Sequence, residues 1–444
     1  MNQTIIIVGY VLGATGAFDG LQPEGSVIWV EEPDVVRKRG ARADLDASPY
    51  VRELIEWEHG LPGKADEFYL RHRDLAPAAV IPLTEYATPF AARLAERYGL
   101  PGAGADAARL LRDKALLRRV TAAAGVPNPR STAVTGPADV AAFMRAVGGS
   151  IILKPANRQA AVGTRIVHDP ADIAEAWAEC IVQDEGIRVP DRPMELRMLA
   201  EQYVRGAEYS CEMLVRAGVP VWANVTGKQL FPGDRPVESG HVVPADLPQE
   251  QIDLIVAQTG LVVDAVGFGH GIVHCEWILS GGTAYLVECA GRLAGDGIVG
   301  LITKAYPIEL LLAYYQLLKG RPLPDLPRRA ANATAIRFLP APDGEVTAVR
   351  TDAAAAAPGV LDCDVTVQAG DRPEGLRSSW DRAGDVMVIA DSPAEALRRA
   401  DAAARLVHIE VRPVADRTGA AVRGPWPPSP ASPRRQCRRR APRR

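Results

Sequence analysis

Residues 151–164 read IILKPANRQAAVGT and place a lysine directly after a strand-like apolar run. The β-branched residues before Lys154 predict a buried strand, which Pro155 ends. Lys154 therefore lies where a strand opens into a loop of small residues, and a buried ammonium group is costly unless an anion pairs with it. We expect a phosphate group to be that anion, so that this strand and loop form a phosphate site.

The length and charge of the chain limit what it can be. Its 444 residues are too many for one hydrophobic core and suggest about three domains. The formal net charge is -3, but nine arginines and no acidic residue lie in residues 417–444. Removing those nine positive charges leaves residues 1–416 with a net charge of -12. An acidic folded part gives no reason to expect nucleic-acid binding.

Cysteine usage and hydropathy predict a cytoplasmic protein. The six cysteines are scattered without a C-x-x-C pair, which is typical of reduced thiols. The first residues lack the basic region of a signal peptide, and no run approaches the roughly 20 apolar residues of a membrane helix. We therefore expect no membrane association. Residues 417–444 are rich in Pro and Arg, and we expect them to be disordered.

The first hundred residues alternate strand-like and helix-like segments. TIIIVGY (4–10), SVIWVEE (26–32) and AAVIPL (78–83) predict strands, and TPFAARLAERYG (88–99) predicts a helix. This alternation is typical of a parallel α/β sheet. The early glycines lack the G-x-G-x-x-G spacing, so we interpret them as tight turns rather than as a dinucleotide site.

The middle of the chain predicts one long helix followed by two antiparallel hairpins. The helix covers residues 106–125 and ends at a glycine. Period-two alternation predicts hairpins over 199–228, turning at RAGVP, and over 271–297, turning at SGG. A further helix is predicted near 249–265. Short strands and an alanine-rich helix in residues 330–415 suggest a small α+β domain.

The second hairpin brings two acidic residues together. If SGG forms an odd-numbered loop centred near Gly282, Glu276 and Glu288 lie directly opposite each other on one face. Opposed like charges destabilise a sheet, so either solvent separates them or a cation neutralises them. Mg²⁺ prefers such oxygen ligands together with nucleotide phosphates. The alternative is an exposed hairpin edge with two unrelated glutamates.

Several motifs occur together in one order: Lys114 in RDK, Lys154 in LKPANRQAAVGT, AEQYVRGAEYS (200–210), Lys228 in TGK, Glu276 in HCEW and VECAGRLAGD (287–296). In this order the chain resembles the ATP-grasp superfamily, and within it the carboxylate-amine ligases that join amino acids, the L-amino acid ligases. The segment ATAIRFLPAPDGEVTAV (333–349) resembles the extra C-terminal domain of that branch.

The resemblance implies a fold of class α/β and α+β. It consists of an N-terminal parallel α/β (pre-ATP-grasp) domain at 1–105, an ATP-grasp domain of two subdomains at 106–325, and a small C-terminal α+β domain at 326–416. The remaining residues, 417–444, form the expected disordered tail.

The resemblance also implies an ATP site. Lys114 and Lys154 would contact phosphates beneath a flexible loop from Arg158 to Thr164, and Lys228 would point at the terminal phosphates. The backbone from Glu201 to Val204 would hold adenine, and Glu208 would accept the ribose hydroxyls. The implied ATP-binding residues are Lys114, Lys154, Ala161, Gly163, Glu201, Tyr203, Val204, Glu208 and Lys228.

For the metal and the substrates, the resemblance implies a second set of residues. Glu276 and Glu288 match Mg²⁺ ligands, with Mn²⁺ as an alternative ion, and the catalytic groups would be Arg292 and Lys228. The implied substrate-binding residues are Glu85, Glu238, His241, Arg292 and Gly295. Two departures from the family pattern are Ala290, where Asn is frequent, and Ala161, where Ser or Thr is frequent.

The implied activity is ATP-dependent ligation of a carboxylate to an amine. An acyl phosphate would form an amide or peptide bond between small-molecule substrates, expected to be amino acids, with release of ADP and phosphate. Such chemistry needs positioning and charge neutralisation rather than a protein nucleophile. The alternatives are an ATP-grasp carboxylase, a kinase-like enzyme and a non-catalytic nucleotide-binding protein. A homodimer is a further expectation from the family.

Overall fold

The structure is a computed structural model that describes residues 3–182, 185–340, 342–373 and 375–413. The Pro/Arg-rich tail predicted at 417–444 lies outside these residues. Among the described helices, no single one has the length and apolar character to cross a bilayer; Ile298–Ala305 and Leu310–Leu318 reach that threshold only together, across a 110° bend.

The N-terminal region forms the parallel α/β layer that the sequence predicts. Its four-stranded sheet has the order β3-β2-β1-β4, and every neighbouring pair is parallel. The strands β1 and β2 are fully buried, whereas β3 is a partly exposed edge strand. The sequence analysis did not predict β3, because its charged residues interrupt the apolar pattern of a strand. The elements are β1 (Ile5–Val8), β2 (Val27–Glu31), α1 (Pro33–Arg39), α2 (Ala41–Asp46), β3 (Val51–Glu56), α3 (Lys64–His72), β4 (Ala79–Pro82) and α4 (Thr88–Arg97).

The single helix predicted over residues 106–125 is wrong, because the chain breaks there into two helices. The first, α5 (Ala105–Leu111), ends before Asp113, whose side chain accepts hydrogen bonds from the N–H groups of Ala115 and Leu116. This N-cap begins a new helix, α6 (Lys114–Ala123), since an Asp side chain competes with the continuing helix for backbone donors. Lys114 consequently lies at the first turn of α6.

A small antiparallel sheet of the order β5-β8-β6-β7 follows. The stretch at 151–164 forms its strand β6 and the loop to β7, as predicted. Helices α7 and α8 cover the sheet and share a core with it. The elements are β5 (Ser131–Val134), α7 (Pro137–Val147), β6 (Ile151–Pro155), β7 (Arg165–Val167), α8 (Ile173–Ile181) and β8 (Met198–Gln202).

Within the described residues, the largest sheet has eight antiparallel strands in the order β13-β12-β9-β10-β11-β14-β17-β16. It contains both predicted hairpins, although residues 198–202 form β8 of the small sheet instead of extending the first hairpin. The elements are β9 (Ala207–Arg216), β10 (Val219–Leu230), β11 (Glu238–Val243), α9 (Gln249–Val266), β12 (Gly271–Ser280), β13 (Thr283–Ala290), α10 (Ile298–Ala305), α11 (Leu310–Leu318) and β14 (Ala333–Leu339).

The C-terminal region continues this large sheet. Strand β14 pairs with β11, β17 pairs with β14, and β16 pairs with β17 at the edge of the sheet. Helix α13 packs its buried alanines against these strands in a core that includes Val242 of β11. The region therefore shares a sheet with the preceding one, and the domain boundary at residue 326 stays a prediction. The remaining elements are β15 (Glu345–Arg350), α12 (Asp352–Ala355), β16 (Val360–Val365), β17 (Gly384–Ala390), α13 (Pro393–Ala404) and β18 (His408–Arg412).

Candidate active site

A cleft of about 1490 Å³, including its part open to solvent, lies between the small and the large sheet. Its walls come from the β6–β7 loop, strands β9 to β13, and a segment of the C-terminal region around Ser379 and Trp380. Of the site residues that the sequence predicts, all but Gly163 and Glu85 line this cleft. The fold thus gathers residues from position 114 to position 295 at one place.

Glu276 and Glu288 lie directly opposite each other on β12 and β13, as predicted. The reason differs from the prediction, because the turn is a two-residue one formed by Gly281 and Gly282. The pairing shifts by one residue just after Glu276, where Trp277 pairs with Leu286. This β-bulge adds one residue to β13 and restores the register that an odd-numbered loop would have produced.

Each of the two carboxylates pairs with a lysine. Lys114 Nζ lies 2.7 Å from Glu288 Oε2, and Lys228 pairs with Glu276 while also lying 3.1 Å from Glu238 Oε1. Burial opposes ionisation of Glu276, but Lys228 outweighs it and holds the pKa of this carboxyl well below its usual value. Glu276 is therefore charged, and Lys228 neutralises it.

This donor set fits a magnesium ion that nucleotide phosphates help to bind. The described residues contain no group of three or more His, Cys, Asp or Glu side chains arranged around a metal position. Mg²⁺ keeps several waters and is commonly held by one or two carboxylates plus substrate phosphates rather than by a complete protein cage. Two facing glutamates satisfy that requirement.

A buried polar network behind Glu276 was missed by the sequence analysis. His274 lies 2.9 Å from Glu212 Oε1 through Nδ1 and 3.2 Å from Glu276 Oε1 through Nε2. Burial lowers the pKa of His274, but the bonds to Glu212 and Glu276 prevail and raise it to about 9. His274 thus orients Glu276 from one side. The H-x-E spacing on one strand face was the signal that could have revealed it.

Lys154 has a protein partner in addition to any phosphate. Its Nζ lies 2.6 Å from Glu201 Oε2, and Arg118 Nε donates to the other oxygen of Glu201 at 2.9 Å. Burial lowers the pKa of Lys154, with Glu201 opposing the shift. The structure therefore gives this ammonium group a protein partner, and its expected contact with a phosphate stays a prediction. Because an ammonium group has three donors, Lys154 keeps the capacity to bind a phosphate oxygen as well.

The remaining predicted nucleotide residues continue around the same end of the cleft. Tyr203 and Val204 follow β8 and line the cleft, while Glu208 lies opposite Lys228 on the neighbouring strand. Burial raises the pKa of Glu208 to about 7, although Lys228 opposes the shift. The side chain of Glu201 contacts Lys154 and Arg118, and its backbone lies within the central strand β8. The adenine contact expected of the backbone from Glu201 to Val204 stays a prediction.

The loop between β6 and β7 is held in an unusual backbone conformation. Ala160 and Ala161 both have φ of 56°, a left-handed conformation that is costly for alanine. Lys114 Nζ donates to the carbonyl of Arg158 at 2.8 Å and fastens the start of the loop. Gly163 does not line the cleft. It combines φ of 67° with a close approach, since a Cβ atom there would lie 2.8 Å from the Cys180 carbonyl.

Arg292 is anchored by a buried carboxylate. Its Nε donates to Glu85 Oε2 at 2.7 Å, and Arg112 Nη1 donates to Glu85 Oε1 at 3.0 Å. Burial opposes the charge on Glu85, but the two arginines outweigh it and lower the pKa of this carboxyl. The sequence prediction that Glu85 faces the amino-acid cavity differs from this placement behind the cleft wall. The geometry shows a residue that positions Arg292.

The substrate end of the cleft contains the other predicted residues. His241 is fully buried, and among the described residues neither ring nitrogen has a hydrogen-bond partner. Its Nε2 lies 3.6 Å from Asp296 Oδ2. Glu238 lies between Lys228 and Ser379, whose Oγ donates to Glu238 Oε2 at 2.8 Å. Gly295 lines the cleft beside them, with open space at the position of a Cβ.

Sequence reasoning missed the contribution of Asp296, Ser379, Trp380 and Arg382 to this end. Asp296 is the last residue of the motif VECAGRLAGD, but the other three lie in the C-terminal region. Ser379 is 141 residues from its partner Glu238 in the chain. No local pattern could have found such a contact.

Two family models match the chain. The ATP-grasp domain matches residues 147–299, and the L-amino acid ligase C-terminal domain 2 matches residues 337–412. The first match covers three of the four strands of the small sheet and most of the cleft, including both facing glutamates. The second covers most of the C-terminal region, including the segment that carries Ser379 and Trp380.

Curated relatives are similar over part of their length. The uncharacterized protein y4rH of Sinorhizobium fredii is 27% identical over 305 residues, which are 68% of this chain and 62% of the relative. Alanine–anticapsin ligase of Bacillus subtilis is 26% identical over 251 residues, 53% of each chain. D-alanine–D-alanine ligase of Aromatoleum aromaticum is 25% identical over 217 residues, 47% of this chain and 65% of the relative. The chain thus spans between about half and two thirds of these proteins.

A solved structure extends the likeness to nearly the whole fold. The crystal structure of an L-amino acid ligase from Bacillus licheniformis superposes with a TM-score of 0.73 at 18% identity, covering 93% of this chain and 99% of that one. Similarity at that identity concerns the fold. Together with the two family models, it shows an ATP-grasp fold in which an ATP-grasp domain matches residues 147–299 and an L-amino acid ligase C-terminal domain 2 matches residues 337–412.

Proposed function

We propose that the protein is an ATP-dependent carboxylate-amine ligase that joins amino-acid substrates and releases ADP and phosphate. The observation that carries the proposal is the facing pair Glu276 and Glu288 in a cleft lined by three lysines and Arg292. Relatives named alanine–anticapsin ligase and D-alanine–D-alanine ligase support amide-bond formation between amino acids.

ATP would occupy the end of the cleft between the two sheets. Lys114, Lys154 and Lys228 line it and supply positive charge for the phosphates. Glu276 and Glu288 would hold Mg²⁺, or Mn²⁺ as an alternative ion, and the ion would neutralise charge on the phosphates. A phosphate-rich ligand offers Lys114 and Lys228 new anions in place of the glutamates that they contact in this structure.

The reaction would proceed in two displacements. The substrate carboxylate attacks the γ-phosphorus of ATP, the bond from that phosphorus to the bridging oxygen breaks, and ADP leaves. The amine then attacks the acyl carbon of the mixed anhydride, phosphate leaves with its bonding electron pair, and the amine loses a proton. Arg292, held by Glu85, would stabilise the charge that develops on the transferred group.

The proton of the attacking amine needs an acceptor at the substrate end. Glu238 and His241 both line this end, and His241 is buried beside Asp296. Either group would serve as a general base when the amine is bound next to it.

The five described cysteines are free thiols, which supports the proposed cytoplasmic location. The homodimer stays a prediction.

Coupled detection of ADP tests the proposal. The protein would be incubated with ATP, Mg²⁺ and pairs of amino acids, and products would be identified by mass spectrometry. We expect ADP release that requires amino acids, together with a product lighter by one water than the sum of two substrates. Release that depends on bicarbonate alone would favour a carboxylase, and a phosphorylated amino acid without a condensed product would favour a kinase-like enzyme. ATP binding without ADP formation under any condition would favour a non-catalytic protein.

A further inference from the structure

A short segment of the C-terminal region, Ser378–Arg382, enters the cleft. Ser379 and Trp380 line its wall. The segment is a single 3₁₀ turn closed by a capping box, in which Ser378 accepts from the backbone and Asp381 binds back to the N–H of Ser378. Such reciprocal bonds hold a short turn in one conformation. The segment therefore presents its side chains to the cleft from a defined position.

Ser379 joins the large sheet to the loop over the proposed nucleotide site. Its Oγ donates to Glu238 Oε2 at 2.8 Å, and its backbone N–H donates to the carbonyl of Ala160 at 3.2 Å. Glu238 in turn lies 3.1 Å from Lys228. Ser379 thus contacts both Glu238, which is predicted to bind a substrate, and the strained β6–β7 loop.

Arg382 fastens the other end of the segment. Its two terminal nitrogens lie 3.1 and 2.5 Å from the carboxylate oxygens of Asp296, and its guanidinium lies 3.7 Å from the centre of the Phe338 ring. Bidentate arginine–carboxylate pairs restrict orientation as well as distance. Asp296 also faces His241. The segment is therefore attached directly beside the proposed amine site.

Trp380 contributes an apolar surface to a wall that is otherwise rich in charge. The Arg188 guanidinium lies 3.8 Å from the centre of its ring and covers one face. The residue nevertheless keeps 38% of its surface exposed, and it lines the cleft. Gly295, which also lines the cleft, leaves open space where a side chain would stand. An exposed indole in a cleft that has unoccupied volume favours an apolar ligand group.

We propose that the segment Ser378–Arg382 forms the part of the cleft wall that selects the side chain of the amino-acid substrate. Trp380 packs against the apolar side chain of an amino-acid substrate, and Ser379 is a positioning residue that holds Glu238 and the β6–β7 loop together. The substrate contact rests on the ligase activity proposed above. The substrate class is therefore amino acids with a sizeable apolar side chain, such as leucine or phenylalanine.

Kinetics of Trp380 variants test the substrate contact. In Trp380→Ala we expect the KM for leucine or phenylalanine to rise about tenfold or more, while the KM values for ATP and for glycine change less than about twofold. Trp380→Phe should retain most of the preference, because it keeps an aromatic surface. The control is Leu361→Ala, which removes a comparably exposed apolar side chain of the same region, 40% against 38%, outside the cleft.

Two Ser379 variants separate the two bonds of that residue. Ser379→Ala removes the bond to Glu238 and keeps the N–H bond to Ala160, whereas Ser379→Pro removes both. Proline suits the first position of a helical turn, and Ser378 is already extended, as a residue before proline requires. With ADP and Mg²⁺ bound, hydrogen exchange of amides 158–164 should accelerate in Ser379→Pro and stay at the wild-type rate in Ser379→Ala.

The outcomes distinguish this inference from the proposed function. A wild type that releases no ADP with any amino acid overturns the ligase and, with it, the substrate contact. Turnover in the wild type with an unchanged leucine KM in Trp380→Ala overturns the substrate contact alone. Equal exchange rates in Ser379→Pro and wild type overturn the attachment of the loop, whether or not the protein turns over.

Discussion

The two ends of the cleft differ in how their charges are compensated. At the nucleotide end, Lys154 and Arg118 share the carboxylate of Glu201, and Lys114 pairs with Glu288. At the substrate end, His241 is fully buried, and neither of its ring nitrogens has a hydrogen-bond partner among the described residues. A buried polar group without a partner costs about 1–3 kcal/mol, which a ligand can recover. The charged groups at the proposed nucleotide end are thus paired within the chain, whereas the proposed substrate end keeps one buried imidazole without a hydrogen-bond partner among the described residues.

The largest effect should come from the residue between the two ends. We expect Arg292→Ala to reduce amino-acid-dependent ADP release by about 100-fold or more, because donors aimed at developing charge contribute that much to turnover. ATP affinity should stay largely intact, since the lysines remain. Arg109→Ala, which removes a surface guanidinium with 65% of its side chain exposed, is the matched control. Unchanged ADP release in Arg292→Ala would reject the catalytic role.

The next effect should be confined to the nucleotide end. Lys154→Ala removes a charge-assisted contact and should weaken binding of a non-hydrolysable ATP analogue by about 10- to 100-fold, as calorimetry would measure. Binding of amino acids should change little. Lys304→Ala removes an exposed lysine on α10 and serves as the control. If Lys154→Ala and the wild type bound the ATP analogue with equal affinity, Lys154 would only neutralise the charge of Glu201 and would not contact the nucleotide.

A smaller effect is expected from the carboxylate that holds Arg292. The pKa of Glu85 is lowered in the folded protein from its ordinary value of 4.5, so its contribution to stability is fully present above pH 4.5. That contribution disappears as the pH falls through the lowered pKa. The free energy of unfolding of Glu85→Gln at pH 7 should be about 1–3 kcal/mol lower than that of the wild type.

Urea unfolding of wild type and Glu85→Gln at pH 7 and at pH 3.5 measures this effect. The gap between the two proteins should narrow at the lower pH, because the wild type approaches the uncharged state that glutamine imitates. Turnover of the variant should also fall, with little change in ATP affinity. A gap that is equal at both pH values would contradict the ionic anchoring of Arg292.

The smallest effect concerns the start of α6. Asp113→Ala removes the N-cap and should lower the free energy of unfolding by about 1 kcal/mol. Asp113→Asn keeps a capping oxygen and should recover most of that loss, although Asp113 also pairs with Arg197. Thermal unfolding of both variants measures the difference. If Asp113→Asn and Asp113→Ala unfolded at the same temperature, the cap would not be the relevant contact.

Several elements of the site were predictable because they depend on neighbours in the chain. The strand that contains Lys154 and the two hairpins follow from apolar periodicity, and the opposition of Glu276 and Glu288 follows from hairpin pairing. The predicted register was right although its reason was wrong, since the bulge compensated a shorter turn. The helix break at Asp113 was missed because propensity alone continues the helix through that position.

The side-chain contacts that distinguish the two ends of the cleft join segments that are far apart in the chain. Periodicity was sufficient for the strands of the parallel layer and for the facing glutamates, because apolar runs and hairpin pairing depend on residues that are near one another in the chain. The anchoring of Arg292 by Glu85, the pairing of Lys154 with Glu201 and the wall at Trp380 required the packed structure. Side-chain partners at long sequence separation are set by how sheets stack, and no local pattern encodes that arrangement.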